Sequence, residues 1–160
     1  MSRVEFALLV AAGTCGVLLL LVRPQAGPPP SPHCRGGPPL AGVYHPQRLD
    51  VKKRCAIATG VVTKVKFEPF DGDVHVGLRT GEGDIVVEVI PQDRAVVPIP
   101  DTGAHVTVVG PKVWDTAHGW PEIHPAWWIS SGRVVPASTQ EVARVEALLR
   151  DTGRQEVSDG

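Results

Sequence analysis

At 160 residues the chain has room for one domain and an N-terminal appendage. A net charge of −1 excludes a global electrostatic case for nucleic acid or for an anionic membrane surface. The 16 prolines and 17 glycines cluster, marking a linker and tight turns, while Val and Ile crowd the middle of the chain and favour strands there.

Phe6–Val22 is an uncharged, apolar run of 17 residues. A spanning helix needs about 20 apolar residues, with roughly 17 as the lower limit. Gly13 and Gly16 within the run suit a membrane helix better than a soluble one. The run leads into Arg23-Pro24-Gln25-Ala26-Gly27, where Pro24 spoils a small-x-small cleavage site ending at Ala26. Residues 1–22 therefore read as a single-pass membrane anchor, with a cleaved signal and secretion as the alternative. Arg3 on one side, and Arg23 and Arg35 on the other, leave the orientation open by charge.

The cysteines speak to the compartment. Outside the apolar run only Cys34 and Cys55 remain, and a pair flanking the start of a compact domain reads as a disulfide. Two unrelated thiols are the alternative. Closing a loop of about 20 residues would stabilise the fold by roughly 3 kcal/mol. The C-terminal domain is accordingly expected outside the cytoplasm.

Residues 23–49 read as a Pro-rich extracytoplasmic linker. Seven prolines fall within residues 23–40, which suits an extended, semi-rigid spacer. His33 is expected to be solvated there, and the basic Lys52-Lys53-Arg54 cluster to be surface.

Strand signals then follow closely. Ala56–Phe67 alternates, with Val61, Thr63, Val65 and Phe67 on one face, and Gly60 predicts a bulge or sharp bend. Asp71-Gly72 predicts a hairpin into a strand over Val74–Arg79. Gly81-Glu82-Gly83-Asp84 turns the chain into Ile85–Ile90, where Glu88 faces away from Ile85, Val87 and Val89. The proline-bounded stretch 91–100 leads to His105–Trp114, and a last strand region spans about Pro121–Ser130. Five short strands with a bent first strand predict an all-β class: a small five-stranded OB-like barrel over residues 50–132. A β-sandwich is the alternative. Residues 133–160 read as a C-terminal helix, about Ser138–Asp151, with a frayed tail from Gly153. Ser138 and Glu141 have capping-box spacing, and Val142, Val145 and Leu149 form a narrow apolar stripe.

Side chains suited to chemistry concentrate in two places: Asp71-Gly72-Asp73-Val74-His75, and Asp115 through Pro125. Strand alternation puts His75 and Arg79 on one face, and Glu122 and His124 on another. If a barrel closes, first-hairpin and last-strand residues converge. Neutral imidazoles with carboxylates suit zinc or another divalent transition metal, and His118, His124 and Asp115 are the expected ligands. Against this, Asp-Gly-Asp is what a tight turn wants, and a His beside a carboxylate is commonly a structural pair. No Gly-x-Ser-x-Gly elbow and no phosphate-binding glycine loop is present. Trp114, Trp120, Trp127 and Trp128 have few bases interleaved with them, which argues against single-stranded nucleic acid.

From Cys55 to about Ile129 the chain resembles a family of uncharacterised bacterial exported or lipoprotein-like proteins. The matching elements are Cys55 ahead of Gly60-Val61-Val62, Asp71-Gly72-Asp73-Val74-His75 with Leu78-Arg79, Val86-Val87-Glu88, and Gly103 ahead of Val106-Thr107-Val108-Val109-Gly110. The most specific is Trp114-Asp115 running into His118-Gly119-Trp120-Pro121-Glu122-Ile123-His124-Pro125. The resemblance covers just under half of the chain and implies an OB-like fold without a settled activity. The segment between Leu78 and Ile85 is shorter than in that family, so contacts made by a longer loop there would be missing.

Together these readings predict a membrane-tethered OB-like module of the bacterial cell envelope, non-catalytic, for binding or for structure. His75, Arg79, Glu88, Trp120 and Glu122 are its expected binding residues. The expected partners are the membrane, through residues 6–22, and an envelope carbohydrate, peptide or protein. No cofactor is expected, though its side chains would suit a divalent metal. The competing reading is a metal-dependent, phosphodiesterase-like hydrolase using the same His and carboxylate residues.

Overall fold

The computed structural model describes residues 31–158, with side chains as far as residue 151; the expected anchor at residues 6–22 lies outside them. Among the described residues no helix is long and apolar enough to cross a membrane.

The expected all-β body with one C-terminal helix is present. Strand β1 (Leu49–Phe67) is long because it serves two ladders. Its first part, to Val61, pairs antiparallel with β4 (His105–Asp115), and its last part, from Gly60, pairs antiparallel with β2 (Val74–Thr80). Gly60 lies where the ladders overlap, opposite both Thr80 and Val106. A Cβ there would stand 2.2 Å from the Arg79 carbonyl oxygen, so only glycine permits this backbone approach. The register slip itself falls just beyond, between Val62 and Lys64.

Strand β2 turns at Gly81-Glu82 into β3 (Gly83–Val89), which pairs in parallel with β5 (Trp120–Ile123). Strand β5 runs antiparallel to β4, and β4 returns to β1, so five strands close in the order β1-β2-β3-β5-β4. The last strand region is not the single strand expected over Pro121–Ser130. It divides into β5 and a two-residue β6 (Trp128–Ile129) paired with β4. Between them Pro125 has no N–H to give a ladder, the His124–Pro125 bond is cis, and the Ala126 and Trp127 N–H groups donate to the carbonyls of Glu88 and Val109.

Alternation fills the interior from Val74, Val76 and Leu78 of β2 and Ile85, Val87 and Val89 of β3, with Val62, Val106, Val108 and Ile123 opposite. Val61 and Phe67, on the β1 face expected to carry the apolar alternation, are exposed; Val62, just before the register slip, is the buried residue. A second apolar cluster forms on the outward face, where Leu40, Val43 and Leu49 pack with Ile90 and Val113.

Residues 31–49, expected within the linker, lie against the barrel. The Cys34–Cys55 disulfide ties this segment to β1, Arg35 Nη1 donates to both carboxylate oxygens of Asp93, and His33 stacks on Trp128 with centroids 4.2 Å apart. Apolar side chains at 40, 43 and 49 supply the burial that composition counts overlook in a proline-rich stretch.

Helix α1 (Thr139–Ser158) extends beyond the residue 151 end and the residue 153 fray expected for it. Its capping box is formed: the Glu141 N–H donates to Ser138 Oγ at 3.2 Å and the Ser138 N–H to Glu141 Oε2 at 2.7 Å. Val145 is its buried anchor.

Candidate binding cleft and buried carboxylate–histidine cluster

The outward face of β1, β2 and β3 carries the polar residues that alternate with the core. Strand register sets Lys66, His75 and Glu88 in one row across it, and Lys64, Gly77, Val86 and Glu122 in the next. One end of this face is open and the other is sealed.

The open end is a cleft of about 750 Å³. Its floor includes Lys64, Lys66, His75 and Gly77 from β1 and β2, with Ile85 and Val86 from β3. The β1–β2 loop contributes Glu68, Phe70 and Asp71 to one wall; His118 of the β4–β5 loop and Trp120 and Pro121 at the start of β5 form the other. Each wall carries an exposed aromatic ring, Phe70 at 63 % and Trp120 at 39 %. Trp120 is braced by His118, stacked on it at 4.6 Å and within 7° of parallel. Three bases (Arg48, Lys64, Lys66) and three acids (Glu68, Asp71, Asp84) line the cleft, so it has no single sign.

The β4–β5 loop is held from within by Asp115, fully buried at the end of β4. Its Oδ1 accepts the N–H groups of Ala117 and His118, and its Oδ2 lies 2.7 Å from His118 Nδ1 and 3.3 Å from Arg48 Nε. Burial alone would raise the Asp115 pKa, but the hydrogen bonds from His118 and the backbone of Ala117 and His118 bring it below the ordinary value. Gly119, at φ 79°, completes the turn.

The sealed end holds Asp73, Glu88, Glu122 and His124, all between 0 and 3 % exposed. His124 Nδ1 stands 3.1 Å from Glu88 Oε2 and 3.3 Å from Glu122 Oε2, while Nε2 faces Asp73 Oδ2 at 3.6 Å. Trp120 Nε1 donates to Glu122 Oε1 at 2.7 Å. Cleft and cluster meet at His75, whose Nε2 lies 3.3 Å from Glu88 Oε1 and whose Nδ1 lies 3.7 Å from Glu68 Oε1. Burial pushes Asp73 well above the carboxylate range, with Asp71 adding to it. Burial, then Glu122 and Asp73, push Glu88 up in the same way. Burial lowers His75 despite Glu68 and Asp71.

Register thus brings the first hairpin and the segment after β5 together, as barrel closure demands. Of the expected binding residues, His75 and Trp120 line the cleft. Glu88 and Glu122 lie beneath it, closed to solvent, and Arg79 is exposed in an ion pair with Asp84. The expected ligand set of Asp115, His118 and His124 does not assemble among the described residues. Instead Asp115, His118 and Glu122 form one group and Asp73, Glu88 and His124 another. Sequence reasoning passed over Asp73 as a turn residue and missed Phe70, Glu68 and Arg48. Glu88, flanked by valines on a strand, was the sequence-level sign that a carboxylate would be buried on the outward face.

No family model matches the chain, and no curated protein matches it in sequence.

Proposed function

We propose that this is an OB-like barrel that binds a carbohydrate- or peptide-containing component of the bacterial cell envelope and catalyses no reaction, tethered outside the cytoplasm by residues 6–22. The order β1-β2-β3-β5-β4 with a parallel β3–β5 pair supports the OB-like assignment. In OB-folds the β2–β3 face and the loops after β1 and β4 are the usual recognition surface. The observation that carries the proposal is the cleft at that place, walled by Phe70 and the His118–Trp120 stack. Aromatic walls with mixed charge suit stacking on sugar rings or peptide side chains, and lack the one-signed groove that tracks a phosphate backbone. The disulfide supports an oxidising compartment.

A hydrolase would need its imidazoles and carboxylates to converge where water and substrate can reach them. Here the convergence of Asp73, Glu88, Glu122 and His124 is sealed, which favours binding over hydrolysis.

The test is a titration of the full chain with soluble cell-wall glycan–peptide fragments, followed by tryptophan fluorescence. Binding should be lost in Phe70→Ala, with folding retained because the ring is largely exposed. Absence of binding, or metal-dependent cleavage of a phosphodiester ester by the unmodified chain, would overturn it.

A further inference from the structure

We propose that Asp73, Glu88 and His124 form a buried site for one divalent transition-metal ion, with zinc the best fit, lying beneath the cleft. Donor atoms of these three residues lie within 4.8 Å of one another. A sealed acidic cluster alone would be no more than a place that holds protons. The second observation is His124 Nε2, which is buried and has no hydrogen-bond partner.

That nitrogen faces Asp73 Oδ2 at 3.6 Å. The gap is too long for a hydrogen bond. It is close to the separation of two ligands on a tetrahedral zinc, roughly 3.3 Å for bonds of about 2.0 Å. The other nitrogen completes a pattern common in metal sites, in which a ligating imidazole gives its second N–H to a carboxylate. Glu122 Oε2, 3.3 Å from Nδ1, is that carboxylate. With Nδ1 as the donor, Nε2 carries a lone pair directed at the gap before Asp73.

Charge points the same way. Among the described residues, no Lys or Arg makes an ion pair with Asp73, Glu88 or Glu122; histidines are the only basic side chains within ion-pair distance of them. Arg48, whose charge also acts on the cluster, is paired with Asp115. Three buried carboxylates around one imidazole must take up protons or a cation. A nitrogen with carboxylate oxygens is a donor set that suits zinc, and manganese less well.

The other acidic group is already satisfied by protein. Asp115 is filled by two backbone N–H groups, His118 and Arg48, and Glu122 Oε1 by Trp120. The proposed ligands come from the β1–β2 loop, from β3 and from the segment after β5. Glu122, joined to Trp120, sits against His124. An ion there would pin the floor of the cleft to both of its walls.

The full 160-residue chain in detergent, stripped with chelator, is titrated with zinc chloride by calorimetry, and cobalt(II) is used for absorption spectra. We expect one zinc per chain, proton release on binding, and the intense visible bands of low-coordinate cobalt. Asp73→Asn and Glu88→Gln, which keep side-chain size, should each weaken zinc at least 100-fold with unchanged circular dichroism, as should His124→Ala. His118→Ala should leave zinc binding unaltered. Binding that survives Asp73→Asn and Glu88→Gln, binding lost in His118→Ala, or no stoichiometric zinc would overturn the site. The cobalt spectrum of the unmodified chain decides the matter even where a variant does not fold. A ligand titration with the stripped chain separates this outcome from failure of the binding role.

Discussion

Arg94 Nη1 donates to Glu141 Oε1 at 3.0 Å, fastening the β3–β4 connection to the first turn of α1. Arg94 is buried; its Nε also donates to the carbonyl of Val135, and its Nη1 to that of Gly72. One guanidinium thereby joins the base of the helix to the first hairpin, the loop that carries Asp71 and Asp73.

Glu141 has two partners to lose, Ser138 through the capping box and Arg94. Glu141→Ala should therefore destabilise by about 2–4 kcal/mol, since the loss of a cap, typically near 1 kcal/mol, is joined by a buried arginine left underpaired. Ser138→Ala should cost only about 1 kcal/mol. Equal losses in urea unfolding of the two variants would remove Arg94 from this account.

The same carboxylate sets a pH dependence. Hydrogen bonds from the Ser138 backbone and side chain, then from Arg94, lower the Glu141 pKa to about 2, against an unfolded value of 4.5. A folded pKa below the unfolded one gives stability that is fully present above pH 4.5 and is lost as pH falls towards 2. Glu141→Gln should flatten the acid limb of the stability profile between those values. An acid limb of unchanged slope in the variant would show that other carboxylates set it.

Trp120 is both a cleft wall and the donor to buried Glu122. Trp120→Phe keeps a ring and removes the N–H, so Glu122 loses a hydrogen bond at a site without water access. The expected loss is about 1–3 kcal/mol in chemical denaturation, with the variant still folded. A smaller loss, within a few tenths, would mean that Glu122 finds another donor.

Gly60→Ala would press a methyl group against the Arg79 carbonyl, backbone against backbone. Such a contact is relieved only by parting β1 from β2, and the expected cost is about 3 kcal/mol. Gly81→Ala, with open space around it, should change the midpoint of unfolding little. If Gly60→Ala is as mild as Gly81→Ala, the bend at the junction of the two ladders has slack.

Much of this architecture was legible in the chain. Alternation located β2 to within a residue, Asp71-Gly72 and Gly81-Glu82 located the turns, and the Ser138–Glu141 spacing located the start of α1. These signals are local, set by a period of two or by a cap three residues long, and so they survive without knowledge of the fold. The pairing of Cys34 with Cys55 was legible for another reason, since no other cysteine lay outside the apolar run. The packing of residues 31–49 was hidden because a few apolar side chains among many prolines gain meaning only when a surface is there to receive them.

The sequence by itself determined that these residues make strands, turns and one capped helix, and that histidines and carboxylates would collect at the first hairpin and after β4. Only the tertiary structure decided which of them meet. A shift of one residue in the β2–β3 register would turn Glu88 away from His75 and send it into the valine core; the turn at Gly81-Glu82 and the alternation of both strands hold that register, but no local signal says which strand closes over it. Closure of β3 against β5 then carries His124 over Glu88 and Asp73, more than 30 residues away in the chain, and seals them from solvent. Burial and proximity of charge belong to the closed barrel, and they separate an accessible cleft from a buried cluster among side chains of the same chemical kind.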